Sequence, residues 1–207
     1  MWFFAKKKNY LIKEDKVWMH KESKYLYLIK ELSNLTNTDK MVFLCSYFPD
    51  TILHVGQLLQ KTQIPFNDYT NTNSIDSQKV NLITVQTLAK VTSHAFISDK
   101  PAGYKIFMLE HHPLYTIENE LFKHLNALDK EIHITYYLSL DQPLFRVFGK
   151  DNIENMMRHM GMSEDEYITH VLITKAIENV QKKTEKKAVS FIDANNADEW
   201  YTKNIRI

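Results

Sequence analysis

The chain of 207 residues carries 26 basic and 25 acidic side chains, a formal charge of +1, with 44% hydrophobic and 25% charged residues. That balance excludes disorder or a fibre along the whole chain, and it offers no strong field to gather nucleic acid or anionic lipid. The length suffices for one large domain with a real core, or one domain with an appendage.

Residues 1–16 read as a lysine-rich leader. Its apolar start, Met1-Trp2-Phe3-Phe4-Ala5, precedes Lys6-Lys7-Lys8, the reverse of the order in a signal peptide. No stretch approaches the roughly 20 apolar residues of a membrane span. A cytoplasmic location is expected, with membrane contact peripheral at most. Val17-Trp18-Met19 reads as a short strand or extended lead-in, and Tyr25, Leu28, Ile29, Leu32 and Leu35 recur at helical spacing. Residues 41–46 form an apolar run suited to a strand buried on both faces. Pro49-Asp50 opens a helix with Ile52, Val55 and Leu59 on its stripe. A strand is expected within 63–69, a loop or partial helix over 67–78, and another strand over 80–85. Residues 98–103 make a turn, 104–109 a strand, 114–128 a helix and 132–138 a strand. Strands separated by helices of this length imply parallel βαβ units, so 17–140 reads as an α/β domain. Residues 141–187 read as a helical extension, with a long helix over about 164–187, and 188–207 as a tail in which 189–192 fits an edge strand.

Composition also limits the chemistry. The four glycines, Gly56, Gly103, Gly149 and Gly161, are too dispersed for a P-loop or a dinucleotide fingerprint, which need glycines within about five positions. Arginine, the side chain that phosphate clamps favour, occurs only at Arg146, Arg158 and Arg206. Cys45 is the sole cysteine, which excludes an internal disulfide and a multi-cysteine zinc site. In its apolar strand it reads as core, in preference to a nucleophile paired with His54.

The second half carries a specific resemblance. Tyr137-Leu138-Ser139-Leu140, then Leu144-Phe145-Arg146-Val147-Phe148, Asp151 and Met156-Met157-Arg158-His159-Met160-Gly161-Met162 resemble the end of the second nucleotide-binding domain of the preprotein translocase ATPase SecA. The likeness continues through Glu166, His170, Thr174-Lys175-Ala176-Ile177, Asn179 and Gln181. Upstream, His20-Lys21-Glu22-Ser23-Lys24-Tyr25 and Ile64-Pro65-Phe66-Asn67 resemble earlier family segments in the right order. The resemblance spans roughly 14–187, fades between 71 and 102, and stops before the tail. It implies a RecA-like fold of the helicase C-terminal type, with a mostly parallel sheet flanked by helices and a helical C-terminal extension.

The resemblance does not carry the ATPase activity with it. Where the family places three arginines of a motif that reaches ATP, this chain has Phe122, His124 and Ala127. One arginine finger is worth about 10³–10⁵ in rate. A second family motif falls near Lys90, Val91 and His94, where its arginine, aspartate and glycines are replaced. A third keeps Glu110 and His112 but not its arginine. What the resemblance implies is therefore a degenerate, stand-alone relative without cofactor or metal, acting as a protein-interaction module for translocase components or a second copy. Two rivals remain: an ATPase half-site completed in trans by a P-loop partner, and a small metal- or ligand-binding protein with a pocket of Glu110, His112 and His94. Met156, Met157, Met160 and Met162 are read as helix core. Ile168, Leu172, Ile173, Ile177 and Val180 spread over more than one helical stripe, so they are candidates for an interaction surface covered by a partner, a second copy or the tail.

Overall fold

The computed structural model describes residues 11–35, 39–93, 102–128, 130–148 and 150–206. Seven strands are β1 (Leu11–Trp18), β2 (Lys40–Ser46), β3 (Phe66–Asp68), β4 (Val80–Thr84), β5 (Gly103–Met108), β6 (Glu131–Ser139) and β7 (Tyr167–Ile168). They form one sheet in the order β3-β4-β2-β5-β6-β1-β7. Every pairing is parallel except the short one of β7 on β1. This is the RecA-like, mostly parallel sheet that the resemblance implies.

Apolar side chains alternate between the two faces of the sheet because successive Cβ atoms point to opposite sides. Val42 and Leu44 of β2, with Phe107 and Tyr137, face α1 (Lys21–Ser33) and α2 (Pro49–Lys61). Phe43, Cys45, Ile106, Ile134 and Tyr136 face the opposite way. Leu44 lies beside Phe107, and Ile106 beside Ile134, as expected for adjoining buried strands. The second face is covered by α4 (Val85–Ser93), α5 (Tyr115–Ala127) and α8 (Val171–Lys187). The one-turn α3 (Tyr69–Thr72) begins at Asp68, whose carboxylate accepts from Thr70 N. Further along come α6 (Pro143–Phe148), α7 (Lys150–His159) and α9 (Ala197–Asn204). Gly161, at φ +69°, closes α7 in the left-handed conformation that glycine adopts without strain.

Some expectations need correction. β1 begins at Leu11 and pairs with β6 over its full length, so residues 11–16 belong to the sheet and not to the leader. Its run of four charged residues disguises it, because Lys13, Glu14, Asp15 and Lys16 all find polar or aromatic partners. Helix α4 occupies a stretch for which no element was expected. The long helix starts at Val171, after β7, and not near 164. Residues 189–192 form no strand; pairing there is a single antiparallel bridge between Ala188 and Ile205. The tail instead turns back as α9, which puts Trp200, Tyr201 and Ile205 into the core.

That tail decides the fate of the proposed interaction surface. Ile168, Ile173, Ile177 and Val180 are each at most 5% exposed, and only Leu172 of the five faces outward, at 57%. The surplus apolar stripe of α8 is thus covered from within the chain, by α5, α6 and the α9 region.

Candidate functional site

A buried polar cluster lies where the carboxyl ends of β1, β5 and β6 meet α5 and α8. His111 follows β5, and both of its ring nitrogens face carboxylates. Nδ1 is 2.8 Å from each oxygen of Glu118, and Nε2 is 3.3 Å from Asp15 Oδ1, as an ion pair and not an aligned hydrogen bond. The ring stacks on Tyr136 with centroids 4.0 Å apart. Glu118 also accepts from Tyr136 OH at 2.7 Å and Gln181 Nε2 at 2.8 Å, while Thr174 Oγ1 donates to Asp15 at 2.5 Å. Burial opposes charge on all three ionisable groups, but their mutual attraction outweighs it. Asp15 is brought down to about 2, Glu118 lies below its ordinary range, and His111 lies above its own. The cluster therefore holds an imidazolium between two carboxylates and pins α8 to the sheet.

Glu118 occupies a position on the apolar stripe of α5, between Leu114, Leu121 and Leu125. A carboxylate in that register is the signal by which the sequence could have revealed the cluster. Thr174 and Gln181, noted only as points of resemblance, prove to be its anchors on α8.

Of the proposed pocket of Glu110, His112 and His94, only the first two can be placed. His94 lies outside the described residues. Glu110 accepts from Ser46 Oγ and from Tyr47 N at 2.9 Å, and burial raises its pKa above the ordinary carboxylate value. The His112 ring sits among Tyr47, Phe48 and Trp200, and its Nδ1 accepts from Leu114 N at 3.0 Å. Burial lowers His112 to about 4, so it is neutral at physiological pH. Among the described residues no three His, Cys, Asp or Glu side chains are arranged to hold a metal ion. Cys45 is fully buried in β2, its thiol pushed up by burial, while His54 is exposed on α2.

The positions aligned with the nucleotide-facing motifs lie on α4 and α5, which pack against each other. Val91 is 3% exposed, while Lys90 and Ala127 are both exposed. His124 Nε2 meets Thr92 Oγ1 at 2.9 Å, tying the two helices together. Phe122 packs against the core, with Lys13 Nζ 4.7 Å above its ring. Two of the arginines are engaged elsewhere: Arg146 with Asp198, and Arg158 with Glu154 at 2.7 Å.

Sheet order and flanking helices define an α/β domain of the RecA-like kind. No family model matches the chain. Individual proteins do: it is 39% identical over 85 residues to the protein translocase subunit SecA of Acidithiobacillus ferrooxidans, covering 41% of this chain and 9% of that protein. Longer matches run to SecA of Campylobacter lari, 28% identical over 186 residues, and of Desulfotalea psychrophila, 23% over 183. These cover 84% and 83% of this chain and 21% of each relative. The similarity to SecA thus extends over most of the chain, which spans about a tenth to a fifth of the length of the curated relatives it matches. No helix among the described residues is long and apolar enough to cross a membrane.

Proposed function

We propose that the chain is a SecA-like domain that does not turn over nucleotide and serves as a protein-interaction module in preprotein translocation. The observation that carries this reading is the chemistry on α5. The three positions that resemble the family's arginine motif hold Phe122, His124 and Ala127, and the first two spend their side chains on the domain's own packing. None can offer a guanidinium to a transferring phosphoryl group, and no glycine-rich phosphate loop occurs in the 207 residues. The similarity to SecA supports translocase components as partners, and Val171 and Leu172, 65% and 57% exposed at the start of α8, are the contact residues.

Calorimetric titration with ATP and magnesium tests the first half of the reading, and no binding in the micromolar range is expected. Binding in that range, abolished by His124→Ala or Lys90→Ala, would establish a half-site instead. Capture of purified SecA tests the second half: the parent chain should retain it and Leu172→Asp should not.

A further inference from the structure

We infer that a cavity beside the end of β5 is a binding site for a small carboxylate, no larger than an amino acid, held by Lys24, Ser139 and Gln142. This goes beyond the translocase reading and does not depend on it. The cavity has a volume of about 190 Å³ and opens at the carboxyl ends of β5 and β6, between the first turns of α1, α6 and α9. Crevices at that end of a parallel sheet are where α/β domains generally receive ligands.

The polar groups on its wall converge and are under-used. Leu109 O, just past β5, accepts from Lys24 Nζ at 2.6 Å and from Gln142 Nε2 at 3.0 Å, which occupies both of its lone pairs. Gln142 Oε1 in turn accepts from Ser139 N at 3.1 Å. An ammonium has three donors, and Lys24, only 2% exposed, spends one on Leu109 O and lies 4.9 Å from the Tyr25 ring centroid. No carboxylate among the described residues touches it as an ion pair. The nearest source of opposite charge is Glu110, whose carboxyl is turned towards Ser46 and Tyr47. Ser139 is wholly buried, and its hydroxyl has no partner among the described residues. Leaving a buried ammonium with a single acceptor and a buried hydroxyl with none is costly, so something that accepts hydrogen bonds belongs there.

The Lys24 ammonium can only donate, and the Ser139 hydroxyl can donate beside it, which selects an acceptor ligand. The charge on the wall then selects among acceptors. Glu110, Asp141 and Asp198 also line the cavity, and a dianion such as phosphate would be repelled by them where a single carboxylate is balanced by Lys24. Asp141 already caps α1 through Lys21 N at 2.9 Å, and Asp198 pairs with Arg146, so neither neutralises Lys24.

The test is a two-dimensional amide NMR titration of the full chain with acetate, and separately with inorganic phosphate. Acetate is expected to bind saturably, shifting Leu109, Ser139 and Gln142. Lys24→Met should weaken it by about tenfold or more, and Ser139→Ala by about fivefold, the value of one net hydrogen bond. Ser139→Ala keeps every charge, so it reports on the site even if Lys24→Met fails to fold. Shifts that do not saturate, acetate binding unchanged in Ser139→Ala, or phosphate binding more tightly than acetate would each overturn the assignment. ATP binding plays no part in this readout, so the outcome is separate from that of the nucleotide titration.

Discussion

Replacing Glu118 by Gln keeps the shape of the side chain and removes the charge on which three donors converge. In the native protein its two oxygens take His111 Nδ1, Tyr136 OH and Gln181 Nε2, all within 2.8 Å. The amide keeps one acceptor oxygen, and its NH₂ must point at one of those donors. At least one buried donor is therefore orphaned, which costs about 1–3 kcal/mol. His111 is left with Asp15 alone, and breaking a buried charge pair costs about 3–5 kcal/mol. The two costs overlap because His111 can release its proton, so a net loss of about 3 kcal/mol is expected for Glu118→Gln. The sign of the pH dependence follows from His111. Despite burial, Glu118 and Asp15 hold it above its ordinary 6.5. Its stabilising contribution is thus complete below the unfolded value and is lost as pH rises through the folded one. Urea unfolding followed by circular dichroism should give a gap between parent and variant that is widest below the unfolded value of 6.5 and narrows as the pH is raised through the folded one. A gap that does not narrow on the alkaline side, or one below about 1 kcal/mol, would refute the buried imidazolium.

Two further outcomes test the packing. Truncation after Ile192 removes Trp200, Tyr201 and Ile205 from the core and should leave an aggregating or strongly destabilised protein, since loss of a buried Trp alone costs about 3–5 kcal/mol; a melting temperature within a few degrees of the parent's would show that α8 needs no cover. Gly103→Ala places a Cβ 2.2 Å from Glu131 O, a backbone atom that cannot yield cheaply, so a loss of about 1–3 kcal/mol is expected in the same urea assay, and a neutral result would mean that the β5–β6 register is looser than described.

The sequence was most legible where burial is two-sided. β2 and the end of β5 are near-continuous apolar runs, and only a strand covered on both faces has a use for that pattern, while β6 shows itself by alternation. β1 was half missed because its Lys and Asp side chains serve the polar cluster, the Glu31 carboxylate and the aromatic faces, which breaks the apolar run. Two-residue β7 is too short to leave a pattern. The buried polar cluster stayed hidden for a related reason: polar residues on an apolar stripe are read as interruptions until partners from distant segments are seen. Glu118 on α5 and Lys24 on α1, beside Leu28 and Leu32, are both of this kind. Of the five apolar residues of 168–180, all but Leu172 are covered, by α5, α6 and a tail to which the resemblance does not extend.

The position of β1 between β6 and β7 has a consequence for biosynthesis. Leu11 pairs with Ile132, and Val17 with Ile168, so β1 is made well before either of the strands that flank it. During synthesis β2, β4, β3 and β5 can join as they emerge, while β1 waits with Trp18 and Val17 uncovered. Closing so long a loop is entropically dear and slow, and it comes after the more local pairings. A nascent chain halted before β6 therefore displays an unpaired strand beside the ribosome, a state that a chaperone, or a neighbouring chain with a matching strand, would meet first.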